Sequence, residues 1–196
     1  LESIVLPEGV TLIESSAFAN CENLSTVKLP TTLKEIGNSA FENCDSIEEI
    51  RMPDALTSLG EFAFANCDNL ELIVFSKGLR TLPLGCFRDC IALETVVIPE
   101  GITAIGNEVF SNCNNIVSVS LPTTLTEIGE SAFADCRHLS SIKIPEGIVD
   151  IKNYTFACCE RLESVVLPST LKTIGKEAFI GCHLLLNVVL PDGLTT

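Results

Sequence analysis

Apolar and polar residues alternate along this chain in a pattern that returns every 23 residues. In one unit, Val27 and Leu29 flank a polar residue, which is the alternation of a strand whose successive side chains point to opposite faces. Leu33 and Ile36 are instead three residues apart, which is the spacing of a helical turn. The pattern therefore predicts one short strand and one short helical or 3₁₀ segment in each unit.

Two columns of apolar residues keep the 23-residue step along the whole chain. Because a fixed period between 20 and 50 residues is typical of repeat architectures, the chain is predicted to be a solenoid. The columns are phenylalanine at Phe18, Phe41, Phe64, Phe87, Phe110, Phe133, Phe156 and Phe179, and cysteine at Cys21, Cys44, Cys67, Cys90, Cys113, Cys136, Cys159 and Cys182.

Most predicted strands are followed by a proline, such as Pro30, which has no backbone N–H and should end the pairing. Units stacked in register would form a parallel sheet on one side and helical turns on the other. Since strands pair at about 4.8 Å and the helical side is bulkier, the stack should curve with its sheet on the concave face. We predict one α/β solenoid domain over residues 1–196, with about eight repeats.

The residues after the proline follow a longer period. Acidic residues followed mostly by glycine, as at Glu8 and Gly9, alternate with Thr-Thr or Ser-Thr pairs, as at Thr31 and Thr32, so that the pattern returns every 46 residues. This alternation indicates that a two-repeat unit was duplicated, and it predicts no particular function.

Both ends of the sequence fall within a repeat, because Leu1 aligns with Leu24 and Leu194 aligns with Leu33. We therefore expect a fragment of a longer chain. An uncapped solenoid end exposes core residues, so end-to-end self-association is an expected hazard.

The repeat itself resembles a known family. The pattern Leu-x-x-Val-x-Leu-Pro-x-x-Leu-x-x-Ile-Gly-x-x-Ala-Phe-x-x-Cys, read from Leu24 to Cys44, is similar to the 23-residue leucine-rich repeat of BspA-like bacterial surface proteins, and it covers the whole chain. The resemblance implies a cell-surface or secreted protein that recognises host, matrix or other cell-surface molecules. Periodicity alone implies only a solenoid.

Charge and hydropathy narrow the classes of partner. The net charge of −14 comes from 26 acidic and 12 basic residues, and there is no clustered basic patch of the kind that nucleic-acid binding needs. No apolar run approaches the length of a membrane span. Calcium binding is disfavoured because no Asp-rich loop has the spacing of ligands.

The outward strand positions form the predicted concave face, and most of them are small and uncharged. Leu72, Val74 and Val97 are exceptions that would form an apolar patch on neighbouring strands, and such a patch often marks an interaction site. The alternative is that strand-forming residues are simply tolerated there. The predicted ligand-binding residues are Glu49, Arg51, Leu72, Val74, Thr95 and Val97.

The ten cysteines could form disulfides, metal sites or a buried column of thiols. Side chains stacked in one column point in parallel directions, which is the wrong geometry for disulfides, so buried thiols are predicted. Cys158 lies outside the column and is predicted to be exposed. There is no Cys-x-x-Cys pair, and His138 and His183 are predicted to be surface residues, so we predict neither zinc nor any other cofactor.

Nothing in the sequence indicates an enzyme, since it contains no nucleophile elbow, phosphate-binding loop or triad. The first functional hypothesis is a protein or glycan binding module that uses the concave face. The second is a stalk or spacer that binds nothing and projects another domain.

Overall fold

Stacked coils of 23 residues make up the computed structural model, which describes residues 1–195. We number these coils from coil 1 (residues 1–23) to coil 8 (residues 162–184), and each contains a three-residue strand followed by a two-residue strand. In chain order the strands are β1 (Ser3–Val5), β2 (Leu12–Ile13), β3 (Thr26–Lys28), β4 (Glu35–Ile36), β5 (Glu49–Arg51), β6 (Ser58–Leu59), β7 (Leu72–Val74), β8 (Thr81–Leu82), β9 (Thr95–Val97), β10 (Ala104–Ile105), β11 (Ser118–Ser120), β12 (Glu127–Ile128), β13 (Ser141–Lys143), β14 (Asp150–Ile151), β15 (Ser164–Val166) and β16 (Thr173–Ile174).

Each pairing joins a strand to its equivalent in the next coil, in parallel and in register. Ile4 of β1 lies beside Val27 of β3, and Ile13 of β2 lies beside Ile36 of β4. The three-residue strands form one stack and the two-residue strands form a second stack. The predicted parallel-strand solenoid is therefore confirmed.

The predicted helical or 3₁₀ turns are wrong, and so is the α/β class, because the part of the chain that the structure describes contains no helix. Leu33 precedes β4 and Ile36 is its last residue, and residues 38–43 form a series of turns. In these turns the amides of Ser39, Phe41 and Asn43 donate to carbonyls of the next coil at 2.8–2.9 Å. Amides that point along the stack cannot form the local bonds of a helix.

These bonds between the turn segments of successive coils form what we call the turn ladder. It contains three backbone hydrogen bonds at each of the seven junctions between coils 1 and 8. Two residues of each turn segment have positive φ, as Ser39 (54°) and Asn43 (58°) do. Asn, Asp and Gly tolerate this conformation best, and they fill seven of the eight positions of the second column, which holds Asn20, Asn43, Asn66, Asp89, Asn112, Asp135, Cys158 and Gly181.

Side chains reinforce the turn ladder from outside and inside. On the outside, the Asn43 amide donates to Asn20 Oδ1 at 2.8 Å, and Asn66 donates to Asn43 in the same way. On the inside, the phenylalanine rings stack with centroids 5.2–5.8 Å apart. Each cysteine thiol from Cys44 onward in the column donates to the carbonyl of the phenylalanine one coil before, with Sγ···O distances of 3.1–3.3 Å.

Five of the eight positions that follow the two-residue strands hold glycine, and close approach between coils leaves no room for a side chain at these glycines. A Cβ at Gly60 would lie 2.3 Å from the carbonyl carbon of Gly37, and one at Gly129 would lie 2.4 Å from that of Gly106. No side chain can replace hydrogen at such distances without a shift of the backbone.

The 46-residue alternation has a structural counterpart in the loops that follow the three-residue strands. The Glu8 carboxylate accepts hydrogen bonds from the backbone amide (3.0 Å) and the hydroxyl (2.9 Å) of Thr31 in the next coil. We call this arrangement the loop clamp. It recurs from Glu100 to Thr123 and from Glu146 to Ser169, and an ion pair of 3.1 Å between Asp54 and Lys77 takes its place between coils 3 and 4.

Coils are consequently joined in pairs on the side of the three-residue strands. At the four clamped or ion-paired junctions these strands pair over all three residues. Within residues 1–195, β3 and β5 share no ladder pair, nor do β7 and β9, and β11 keeps only the Ser118–Ser141 pair with β13. We call these three junctions open seams. The central strand residue before each seam is half-buried, namely Val27, Ile73 and Val119.

Truncation of a ring in the middle of the phenylalanine stack should destabilise the fold strongly. Phe110 is fully buried and stacks on the rings of Phe87 and Phe133, so Phe110→Ala should lower the free energy of unfolding by about 3–5 kcal/mol. Urea denaturation followed by circular dichroism measures this change. Phe179→Ala is the matched control, because Phe179 is half-buried and stacks on Phe156 alone, and its effect should be smaller. Equal effects of the two substitutions would contradict a continuous stack.

The loop clamp should make stability depend on pH at low pH. The hydrogen bond from the Thr123 backbone amide lowers the pKa of Glu100, so the folded pKa lies below the unfolded one. The stabilisation is therefore complete above the ordinary glutamate pKa and is lost as the pH falls through the folded value. Glu100→Gln should destabilise the protein at neutral pH and have no effect near about pH 2, where both side chains are neutral.

The measurement is urea denaturation of both proteins across this pH range. Glu61→Gln is the control, since the Glu61 carboxylate has no hydrogen bond or ion pair among the described residues. If the difference between wild type and Glu100→Gln persisted unchanged at low pH, the charge of Glu100 would not be the source of the stabilisation.

Candidate functional site

The outward side chains of the three-residue strands form a surface that we call the strand face. In every one of these strands the first and third residues are exposed and the central residue points inward, as the sequence predicted. Serine, threonine, valine and lysine fill most of the exposed positions. The side chains of this surface are therefore mostly small, and polar residues outnumber apolar ones.

The six predicted binding residues lie together on β5, β7 and β9 in the middle of the strand face. Glu49 is in register with Leu72, and Arg51 is in register with Val74. The residues Leu72, Val74 and Val97 are 40%, 38% and 62% exposed, so they form the predicted apolar patch.

A local ion pair edges the patch. Arg51 and Glu49 are joined at 3.0 Å on the same strand, where both side chains are more than half exposed. An exposed pair of this kind contributes little to stability. Its main effect is to neutralise the charge of Glu49 beside the patch.

The patch is divided by the open seam between β7 and β9, which the sequence did not predict. A shallow groove of about 460 Å³ lies at this seam, and we call it the seam groove. Ile73, assigned to the interior by the alternation of side chains, lines it because the strands are not paired there. The lining residues are Glu71, Leu72, Ile73, Ala92, Glu94, Thr95 and Val97.

A second groove, of about 430 Å³, lies at the seam between β11 and β13. Its lining includes the half-buried Val119 together with Leu121, Lys143 and Val166. Two of the three open seams therefore have a groove on the strand face. The sequence pattern that accompanies these grooves is the 46-residue alternation of the loop residues. It was recognised in the sequence but did not predict open seams or grooves.

The ten cysteines are all free thiols, and seven of them are buried. Cys158 was predicted to be exposed, but it is half-buried, as Cys21 and Cys182 are. Gly181 of the next coil covers it, since a Cβ at Gly181 would lie 3.3 Å from Cys158 Sγ. Burial raises the pKa of Cys44 and of Cys182 to about 11.

The histidines and acidic residues do not assemble a metal site. Within residues 1–195 there is no group of three or more His, Cys, Asp or Glu side chains placed to hold a metal ion. His183 is exposed as predicted, but His138 is half-buried, with Nδ1 2.7 Å from the Asn114 carbonyl oxygen. This contact fixes the imidazole against the preceding coil. No helix in the described part of the chain is long and apolar enough to cross a membrane.

The sequence matches a family model described as the BspA type leucine rich repeat region. The match contains six copies and covers residues 1–117 and 81–196. A comparison with curated protein sequences found no match.

Several solved structures of bacterial leucine-rich repeat proteins are similar. A leucine-rich repeat protein from Bacteroides ovatus is 28% identical with a TM-score of 0.72, over 97% of this chain and 61% of its own. The leucine rich repeat protein of T. pallidum is 29% identical with a TM-score of 0.71, over 95% of this chain and 78% of its own. A leucine rich cell surface protein from Faecalibacterium prausnitzii is 29% identical with a TM-score of 0.64, over 100% of this chain and 60% of its own.

The chain therefore spans about three fifths of the length of the Bacteroides and Faecalibacterium proteins. The likeness extends over nearly all of this chain, so it concerns the repeat region itself.

Thiol reactivity in the native protein should separate the cysteines by burial. Cys21 and Cys158 should react first with a small disulfide reagent, and Cys182 more slowly, because its raised pKa leaves less thiolate at neutral pH. The seven buried thiols should react only after unfolding, when all ten are titrated. Labelling followed by peptide mass spectrometry assigns each site. Fewer than ten thiols in non-reducing denaturant would show that disulfides form and that the column of free thiols is wrong.

Proposed function

The chain belongs to the BspA-type leucine-rich repeat family, and from this premise we propose that it is a non-enzymatic binding module of a bacterial cell-surface or secreted protein. Leucine-rich repeat domains generally mediate protein–protein interactions, and the family and its solenoid fold are typically non-catalytic. The partner is a host, matrix or other cell-surface protein, and the strand face is the surface that binds it.

The observation that carries this proposal is the exposed apolar patch of Leu72, Val74 and Val97. Outside the patch the strand face carries mostly serine, threonine and lysine, with single exposed valines at Val5 and Val166, whereas Leu72, Val74 and Val97 lie on two neighbouring strands. Contiguous apolar residues on such a surface often mark an interaction site. Their position in the middle of the stack also leaves room for a partner to extend over coils on both sides.

The rigidity of the scaffold supports binding by this surface. The turn ladder and the phenylalanine stack hold each coil against its neighbours, so the strand face needs little ordering when a partner arrives. A preformed surface loses less conformational entropy on association, which leaves more of the contact free energy as affinity.

Surface exposure or secretion is part of the proposal and draws on the relatives. One similar structure is described as a leucine rich cell surface protein. A protein at the cell surface or outside the cell would expose its strand face to the host, matrix and cell-surface molecules that it binds.

Substitutions in the patch test the proposal directly. The protein would be screened by surface plasmon resonance against purified extracellular matrix proteins and glycans, beside a variant with Leu72→Asp and Val97→Lys. We expect at least one matrix protein to bind wild type and to lose about tenfold or more in affinity for the variant, since charges replace the apolar contact. Circular dichroism would confirm that the variant remains folded.

A matched control places the same changes on another part of the strand face. Ser3→Asp with Val5→Lys alters the equivalent strand positions of coil 1, far from the patch, and should leave binding unchanged. A panel in which nothing binds wild type would count against adhesion and favour a stalk that projects another domain. Binding that survives the patch substitutions would show that another surface is used.

A further inference from the structure

A row of unpaired acidic side chains borders the seam groove. Glu48, Glu71 and Glu94 occupy one column of coils 3, 4 and 5, and all three are exposed. The Glu71 amide donates to the Glu48 carbonyl at 2.9 Å, so the first two residues lie on directly adjacent coils. Glu48 and Glu71, which precede paired strands, are separated by roughly one strand spacing, about 4.8 Å along the stack. Like charges at such distances repel one another, so the row does not stabilise the fold.

No basic side chain neutralises this row. Among residues 1–195, the ion pairs leave Glu48, Glu71 and Glu94 without a partner, whereas the adjacent Glu49 is paired with Arg51. The backbone of Asp68 adjoins the groove, because it bonds Ala92, which is one of the lining residues. The Asp68 carbonyl accepts a bond from the Ala92 amide at 3.1 Å, and burial together with the carboxylates of Asp45 and Asp89 raises the pKa of Asp68.

The other open seams lack this combination. At the seam between β3 and β5 the equivalent positions are Ser25 and Glu48, and at the seam between β11 and β13 they are Val117 and Ser140. Of the three seams, the one between β7 and β9 alone has a carboxylate on both sides, at Glu71 and Glu94. It is also the seam whose groove contains Leu72 and Val97.

We propose that the seam groove binds an extended segment of the partner in which apolar side chains alternate with lysine or arginine. The apolar side chains would cover Leu72, Ile73 and Val97, and the basic side chains would approach the carboxylates of Glu48, Glu71 and Glu94. This inference rests on the proposed binding function and specifies the chemistry of the partner. The net charge of −14 would accelerate the encounter with such a segment.

Short synthetic peptides test this chemistry without knowledge of the natural partner. The probe is a fluorescein-labelled peptide of alternating lysine and leucine, and binding is followed by fluorescence anisotropy. Peptides of the same length with alternating glutamate and leucine, or lysine and serine, separate the charge requirement from the apolar one. We expect the lysine–leucine peptide to bind at least about tenfold more tightly than either, with an affinity that falls as salt rises.

Variants of the protein locate the binding. Glu71→Gln with Glu94→Gln should weaken the lysine–leucine peptide about tenfold, and Leu72→Ser with Val97→Thr should weaken it by a similar factor. The matched control is Glu163→Gln with Val166→Thr, which makes the same kinds of change in the equivalent columns of coil 8 and should have no effect. Circular dichroism confirms that each variant is folded.

Three results would overturn the inference: no binding of the lysine–leucine peptide, equal binding of the glutamate–leucine peptide, or equal weakening by the control variant. The outcome separates this inference from the proposed function. A matrix protein that is lost with Leu72→Asp and Val97→Lys but retained with Glu71→Gln and Glu94→Gln would support binding by the patch and reject a basic partner. Peptide binding at the groove without any matrix partner would support the groove chemistry and count against adhesion.

Discussion

The turn ladder is the interaction on which the rest of this structure depends. It is unbroken from coil 1 to coil 8, whereas each stack of strands is interrupted within the described residues. Its geometry requires residues with positive φ twice in each coil, which explains the column of Asn, Asp and Gly at Asn43 and its equivalents. The phenylalanine rings stack directly inside the turn ladder, so backbone bonds and side-chain packing fix the same spacing between coils.

Because the turn side sets the spacing, the strand side can vary in how its strands pair. The loop clamps at Glu8, Glu100 and Glu146 draw the ends of two strands together, and the junctions without a clamp or ion pair become open seams. A 46-residue pattern in the loops thus becomes a 46-residue pattern of tight and open junctions. The two grooves on the strand face described above lie at open junctions of this pattern.

The sequence predicted the features that depend on one coil at a time. The period, the parallel stacking and the inward and outward positions of each strand followed from alternation, and the exposure of Leu72, Val74 and Val97 was among them. The helical turns were predicted wrongly because a turn with i to i−3 hydrogen bonds has the same three-residue spacing as a helix. The asparagine column from Asn20 to Asn112 was the signal against a helix, since positive φ interrupts one.

The seam groove could not be predicted because it depends on a relation between coils. Ile73 has the sequence environment of an ordinary inward residue, and its partial exposure arises from the missing ladder between β7 and β9. The ladder is missing where no loop clamp joins the two coils. Glu100 bonds to Thr123 at the neighbouring clamped junction, and the described residues contain no equivalent bond at the seam. Pairing of this kind requires the three-dimensional distance between loops, which a residue pattern does not contain.

The turn ladder also explains how the protein tolerates exposed apolar and unpaired acidic side chains on its strand face. Exposed apolar residues lower solubility, and the glutamates of an unpaired row repel one another and lower stability. Here they occupy positions that the turn ladder, the phenylalanine stack and the thiol hydrogen bonds do not use. The strand face can therefore change its side chains at little cost to folding, because the turn ladder and the interior stacks hold successive coils together.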